Sequence, residues 1–278
     1  MGALILKSGN ALNSNVESFD FTDYKNRVLA DGGVITSNTA TQDALSFITQ
    51  SNTLSADNVF SATSPNFGVK FSNGLPVKLY SLFNPLGDVI LDVQSSSLVS
   101  FEAALYSYPV VRFGGMGGGA VLNNGYSTVG TFDALPNVAI GVVTKNTSPL
   151  GTSGYRFVTY PKDTPNLAST NKYLARGDTG TGLKTLTVGS GFTTDQNTVT
   201  QAELLSWNSA VLYRDATKVD VIKNGVTSRS ITASTPTDST ALTLDIGRSV
   251  VDNASAMKYS STMKADFAEA WVLSLIHI

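Results

Sequence analysis

The 278-residue chain contains no cysteine and a single histidine, His277. Without cysteine it forms no disulfide, has no thiolate nucleophile and offers no cysteine-ligated zinc site. A Ser-His-Asp triad or a histidine metal site would depend entirely on His277. We therefore predict no catalytic triad, no bound metal and no cofactor.

Charge is also scarce. Asp, Glu, Lys and Arg make up 14% of the residues and the formal net charge is −2, whereas charged residues average about 25% in globular domains. No basic run is present, so we predict no nucleic-acid partner. No apolar run approaches the roughly 20 residues of a membrane-spanning helix, so we predict no membrane insertion.

Alternation of apolar and polar residues, which is typical of β-strands, is abundant. It runs through 219–226, where Asn224-Gly225 favours a tight type I′ turn and predicts a hairpin. Asn73-Gly74 predicts a second hairpin, which Pro76 weakens. About ten or more short strands after residue 66 predict a mainly β fold, an antiparallel sandwich of jelly-roll type.

The beginning of the chain has a different pattern. Apolar residues at helical spacing over 21–29, followed by Gly32-Gly33, predict one short helix. Thr39–Gln42 has the form of a capping box and predicts a second helix that ends near Gln50. Neither helix is long enough to be stable alone, so each must pack against its own domain or a neighbouring subunit. We divide the chain into a helical N-terminal docking segment, 1–65, and a β-sandwich, 66–278.

Two glycine-rich stretches contain letters of nucleotide-binding motifs. Residues 115–120 match a dinucleotide fingerprint and 177–185 come close to a P-loop. Both motifs require a helix after the glycines, and the residues that follow favour turns and strands instead. We interpret both stretches as turns.

Acidic residues on a strand are the signal for a glycoside hydrolase on such a sandwich, because that reaction uses two carboxyl groups. In 266–274, Asp266 and Glu269 are three residues apart, which predicts opposite faces of a strand, while Phe267, Trp271 and Leu273 share one face. We predict no catalytic residue and therefore no enzyme. Glu269 is interpreted as a structural residue, with a catalytic role as the alternative.

Aromatic side chains in polar surroundings can stack on sugar rings. We select four candidate ligand-binding residues on this basis: Trp207, Tyr160, Tyr173 and Tyr126. For Trp207 the alternative is a ring that covers the edge of the core.

Several segments together resemble a known family. Residues 219–225, 244–248 and 266–274 resemble the C-terminal half of concanavalin A-like (laminin-G-like) lectin domains. Residues 24–33 and 77–80 resemble the N-terminal region of tailed-phage virion proteins that carry such a domain, called tail-fibre or minor structural proteins. The metal-binding loop of the plant lectins and the acidic catalytic run of the glucanases are missing from this sequence.

The resemblance implies a non-catalytic structural protein of the phage virion. Its lectin-like domain would attach to host-surface glycans or decorate the particle, and its N-terminal segment would contact other virion proteins. Virion appendages are generally oligomeric, so a homo-oligomer is expected. The alternatives are a polysaccharide-degrading enzyme on the same fold and a purely architectural capsid or tail component. Residues 273–278 resemble translated adapter sequence, so we leave open whether 274–278 are native.

Overall fold

The computed structural model describes the elements that build the fold. The described residues are 21–50, 59–93, 98–114, 124–132, 138–147, 154–161, 172–178, 182–188, 193–195, 205–215, 217–232, 242–247, 249–251, 258–260 and 264–274. The helices are α1, Phe21–Ala30, and α2, Asn38–Gln50. The strands are β1 Val34–Ile35, β2 Val59–Thr63, β3 Gly68–Ser72, β4 Leu75–Tyr80, β5 Val89–Val93, β6 Val99–Glu102, β7 Val110–Gly114, β8 Asn124–Thr128, β9 Val138–Asn146, β10 Gly154–Pro161, β11 Lys172–Asp178, β12 Gly182–Val188, β13 Thr193–Asp195, β14 Asn208–Arg214, β15 Lys218–Lys223, β16 Val226–Thr232, β17 Leu242–Ile246, β18 Ser249–Val251, β19 Lys258–Ser260 and β20 Lys264–Ser274.

The strands form two large sheets and one short pair. Sheet A has the order β1-β3-β4-β5-β8-β17-β10-β11-β12-β13. Sheet B has the order β16-β15-β14-β9-β20-β7-β6, with β2 also paired to β20, and β18 pairs with β19. Neighbouring strands pair antiparallel, as in β9 with β20 and β10 with β17. The predicted mainly β, antiparallel sandwich is confirmed.

The main core lies between the two sheets. Sheet A contributes Tyr126, Leu244 and Ile246, and sheet B contributes Ile140 and Phe267, none of which has exposed surface. Alternate residues of each sheet B strand point into this core and the others point away from it. The side chains that point away define a second surface, which is described below as the outer face of sheet B.

Both predicted hairpins are present. Asn224 (φ 49°) and Gly225 (φ 79°) connect β15 to β16, and two successive residues with positive φ are what a type I′ turn requires. Asn73 (φ 50°) and Gly74 (φ 78°) connect β3 to β4 in the same way. Pro76 does not prevent pairing, since it lies opposite Phe71 beside a register shift.

Both predicted helices are present, and the start of the second differs in one respect. The backbone N–H of Gly33 donates to the carbonyl of Val28 at 2.8 Å, which closes α1 as expected for a Gly-Gly end. At α2, the N–H of Ala40 donates to Oγ of Ser37 at 3.1 Å. Ser37 therefore caps the helix, and the prediction of Thr39 was wrong by about half a turn.

The helices pack on the sandwich of their own chain. Tyr24 and Val28 of α1 and Leu45 of α2 share a buried cluster with Val59 of β2 and Tyr80 of β4. Of the two alternatives for these apolar faces, the structure shows packing within the chain. Strands β1 and β2, which precede residue 66, pair with β3 and β20. The division at residue 65 stays a prediction.

An ion-pair network fixes α1 to sheet A. The Asp88 carboxylate, 1% exposed, accepts hydrogen bonds from Nη1 of Arg27 at 2.9 Å and from the N–H of Ser81 at 2.8 Å. Nζ of Lys78 lies 3.0 Å from the same carboxylate. Nζ of Lys78 also lies 3.0 Å from the Asp31 carboxylate, which is 40% exposed. The network thus contains one buried and one solvated carboxylate.

The two glycine-rich stretches have different outcomes. Asp178 at the end of β11 pairs with Gly182 at the start of β12, so a strand follows the second stretch, as the turn interpretation requires. Residues 115–120 lie outside the described residues, as do 275–278. Neither described helix is long and apolar enough to cross a membrane.

Candidate functional site

The outer face of sheet B carries the candidate site. Val138, Ile140 and Val142 of β9 are core residues, so the residues that alternate with them, Gly141 and Val143, point to the outer face. The pairing of β9 with β20 then places Trp271 beside Gly141 and Glu269 beside Val143. Successive pairs on one face of a strand are about 7 Å apart, so Trp271 and Glu269 are neighbours.

A β-bulge in β20 determines which side chains reach this face. The register shifts between Phe267 and Glu269, so one extra residue is inserted there. Asp266 pairs with Lys145, and Glu269 pairs with Val143, two residues earlier on β9. Asp266 and Glu269 therefore lie on the same face. The prediction of opposite faces was wrong because it assumed an unbroken strand period.

The same bulge separates the three apolar residues that the sequence placed together. Phe267 points into the core and has no exposed surface. Trp271 and Leu273 alternate with the buried residues Ala270 and Val272, so both point away from the main core, and Leu273 packs against the buried cluster of the helices. Trp271 was thus assigned to the wrong face, and as a site residue it was missed.

The indole of Trp271 lies flat against the backbone of β9. A Cβ placed on Gly141 would be 2.4 Å from Cζ2 and 2.6 Å from Cη2 of Trp271. Only glycine leaves room for the ring at this distance, since the closest ordinary carbon contacts are about 3.5 Å. Trp271 remains half-buried. Its ring therefore presents one flat side at the centre of the outer face.

Glu269 stands next to this ring. The residue is exposed, and no hydrogen bond or ion pair joins it to any residue that the structure describes. Surrounding protein atoms nevertheless reduce the hydration of its carboxylate, which raises the pKa of Glu269 to about 7. Glu269 therefore places a carboxyl group with a raised pKa beside the Trp271 ring.

Asp266, in contrast, is fully engaged. Nε of Arg112 donates to Oδ1 at 2.7 Å, Nη2 of Arg112 donates to Oδ2 at 3.0 Å, and the hydroxyl of Tyr106 donates to Oδ2 at 2.5 Å. Burial and the bond to Asp266 raise the pKa of Tyr106 to about 12, and the bond to Asp266 raises that of Arg112. Asp266 has no exposed surface. It organises its neighbours and is out of reach of a ligand.

An aromatic cluster borders the face beyond Asp266. It consists of Tyr106, Tyr108 and Trp207, with Trp207 at 5.2 Å from the Tyr106 ring and 5.7 Å from the Tyr108 ring, centroid to centroid. Nζ of Lys145 lies over the Tyr106 ring, 4.6 Å from its centre. All four residues are half-buried. Aromatic rings that retain open area at a sheet face are suited to stacking on a ligand.

The four residues selected from the sequence have different positions. Trp207 lies in the aromatic cluster beside the outer face. Tyr126 lies in the main core with no exposed surface, and its hydroxyl donates to the carbonyl of Pro76 at 2.6 Å. The structure therefore makes Tyr126 a core residue. Tyr160 lies on β10 and Tyr173 on β11; their side chains are outside the described part, and a binding role for them stays a prediction.

Only part of the site had a signal in the sequence. Tyr106 and Tyr108 lie about a hundred residues before Trp207, and no local pattern joins them. Glu269 and Trp271 were both considered in the sequence analysis, but their faces were assigned on the assumption of an unbroken strand period, which the bulge in β20 interrupts. Within the described ranges, no group of three or more His, Cys, Asp or Glu side chains is arranged to hold a metal ion.

Comparisons with known proteins place the fold. No protein-family model and no curated protein matches the sequence. Among solved structures, domain 4 of the extracellular arabinanase AbnA from Geobacillus stearothermophilus, in complex with arabinotriose, is similar over 78% of this chain and 92% of its own, with 13% identity and a TM-score of 0.50. A structure of botulinum neurotoxin type C, whose cell entry depends on interaction with two ganglioside molecules, is similar over 79% of this chain and 48% of its own, with 8% identity and a TM-score of 0.51.

A further similarity concerns the β-glucanase of Bacillus licheniformis, over 78% of this chain and 98% of the enzyme, with 11% identity and a TM-score of 0.46. At these identities the comparisons establish the sandwich fold. They also contradict the prediction that the protein is not an enzyme, because the structures with this fold include a domain of an arabinanase, a glycoside hydrolase. The correction has a physical basis, since a fold does not fix the chemistry of its sites.

Proposed function

We propose that the protein binds glycans on the outer face of sheet B, with Trp271 as the ring on which a sugar stacks. The observation that carries this proposal is the close approach of the indole to Gly141, 2.4 Å from a Cβ placed there. It fixes a large ring flat on this face, beside the carboxyl group of Glu269.

The surroundings of the ring suit a sugar. One side of a pyranose ring presents C–H groups, which pack well on an indole, while the hydroxyls need hydrogen-bond partners. Glu269 supplies acceptors on the same strand as Trp271. Ser209 of β14, which pairs with Val143 of β9, supplies a hydroxyl two strands away from Trp271 on the same face. The similar arabinanase domain was solved with arabinotriose bound, which supports the choice of a saccharide as ligand.

The test is binding to a panel of oligosaccharides, including arabinotriose, by titration calorimetry. Replacing Trp271 with alanine should weaken the best ligand by roughly 30-fold, which corresponds to about 2 kcal/mol for a central aromatic contact. Phe71→Ala, which removes a ring that is 36% exposed on β3 of sheet A, is the matched control and should bind normally. The absence of any saccharide binding, or equal binding by Trp271→Ala, would contradict the proposal.

Glu269 favours hydrolysis as a second candidate function. A general acid works best when its pKa is near the working pH, and the pKa of Glu269 is about 7. Glycoside hydrolysis also needs a second carboxyl group, and Asp266 is unsuitable because Arg112 and Tyr106 occupy it. Release of reducing ends from arabinan and β-glucan, lost by 10²-fold or more in Glu269→Gln, would support this candidate. No release by the wild-type protein would argue against it.

For the biological setting, we propose a virion protein that contacts host-surface glycans through the sandwich and other virion proteins, or its own copies, through the N-terminal segment. The support is the resemblance of 24–33 and 77–80 to tailed-phage proteins, together with exposed apolar side chains on the helical segment. Leu29 and Phe47 are 49% and 46% exposed. Serine at both positions should reduce incorporation into particles and lower the oligomeric state in light scattering. Unchanged incorporation would contradict this docking role.

A further inference from the structure

We propose that the aromatic cluster and Lys145 form a subsite for a sugar residue that carries an anionic group, a carboxylate or a sulfate ester. This inference rests on the proposed glycan-binding function and names the class of ligand. The subsite is built from Tyr106, Tyr108, Trp207 and Lys145, at the end of the outer face beyond Glu269.

The position of Lys145 begins the argument. Its register partner on β20 is Asp266, which places Lys145 on the outer face in the row next to Glu269. Its ammonium lies over the Tyr106 ring, 4.6 Å from the centre, so a cation–π contact holds the side chain against the cluster. The contact fixes the charge and leaves the N–H donors of the ammonium available.

The charge of Lys145 is not neutralised by a nearby carboxylate. The Arg112 guanidinium and the Tyr106 hydroxyl already take both oxygens of Asp266. Glu102, on β6 beyond Arg112, accepts a hydrogen bond from Ser100 at 2.8 Å. No ion pair joins Lys145 to any carboxylate of the described segments. A ligand with an anionic group would supply the missing partner.

The rings beside Lys145 restrict what that ligand is. Trp207 and Tyr108 are half-buried against the Tyr106 ring that the cation contacts, so the anion must be attached to a flat or ring-shaped group that can pack on them. A sugar residue of an acidic polysaccharide has both features. The distance from the Lys145 row to Trp271 is two row spacings, about 14 Å, so one chain of several sugars can contact both.

The experiment compares three probes by titration calorimetry: polygalacturonate with carboxylates, a sulfated galactan with sulfate esters, and neutral arabinan. Wild-type protein should bind one acidic probe at least tenfold more tightly than arabinan, and an increase in salt should weaken that binding. Which acidic probe binds identifies the anionic group. Lys145→Gln should lose about tenfold for that probe with little change for arabinan, whereas Lys145→Arg should stay within a few-fold.

Lys25→Gln removes the same charge from α1, which packs against Tyr80 of sheet A and not on the outer face of sheet B, and should leave all three affinities unchanged. Binding of arabinan with no preference for an acidic probe, or equal losses for acidic and neutral probes in Lys145→Gln, would overturn the inference and leave the proposed function intact. Failure of every saccharide, including arabinotriose, to bind would overturn both.

Discussion

The two carboxylates of the α1 network provide a test of how burial sets the strength of an ion pair. Asp88 and Asp31 each contact two cationic side chains, and Lys78 is shared between them. Their exposures differ, at 1% for Asp88 and 40% for Asp31. Replacing each in turn with alanine therefore compares two carboxylates that differ in burial and have the same number of cationic partners.

The expected magnitudes follow from this difference. Removing one partner of a buried pair typically costs about 3–5 kcal/mol. Arg27 and Lys78 keep 26% and 21% exposure, so water recovers part of that loss, but the N–H of Ser81 also loses its acceptor. We expect Asp88→Ala to lower the free energy of unfolding by about 3 kcal/mol. Asp31→Ala should cost less, about 1–2 kcal/mol, because its two lysine pairs are solvated, while the Tyr80 hydroxyl that donates to it at 2.8 Å loses its acceptor.

The assay is urea unfolding followed by the fluorescence of the two tryptophans, with thermal unfolding as a second measurement. A loss of 3 kcal/mol should lower the melting temperature of Asp88→Ala by roughly 6 °C or more. An equal loss of unfolding free energy in the two variants, or a larger loss in Asp31→Ala, would refute the reasoning. Burial of the carboxylate would then not be what determines the strength of its ion pairs.

Two further predictions concern the outer face. Gly141→Ala should displace the indole of Trp271, because the new Cβ would be 2.4 Å from it. It should therefore reduce glycan affinity as much as Trp271→Ala does. A further loss of affinity in the double variant would contradict this. The pKa of Glu269 is raised to about 7, against 4.5 in the unfolded chain. Between these two pH values the folded state binds more protons than the unfolded state, so the stability that this group contributes falls as the pH rises from about 4.5 to 7. Glu269→Gln should flatten that slope in urea titrations at several pH values, and Glu102→Gln is the control; an unchanged slope in Glu269→Gln would contradict the assignment.

Local chemistry in the sequence was sufficient for the hairpins, the helices and the fold class, but not for every strand, since β2 was not predicted. The Asn-Gly pairs at 73–74 and 224–225 specify their hairpins through a backbone conformation that few other residues adopt. The period of two gives the strands, and a chain of antiparallel strands with apolar alternate residues has few ways to bury them other than a sandwich. The helices were predictable from apolar residues at helical spacing. The capping residue of α2 was not.

The site depended on tertiary structure. A single inserted residue between Phe267 and Glu269 reverses the face of every later side chain of β20, and the pairing with β9 that reveals it joins residues more than a hundred positions apart. Long-range packing likewise brings Tyr106 to Trp207 and frees the space over Gly141 for Trp271. The sequence alone determined that the chain folds as two antiparallel layers. Which side chains meet on the outer face was decided only by strand register, because register is set by contacts between distant strands.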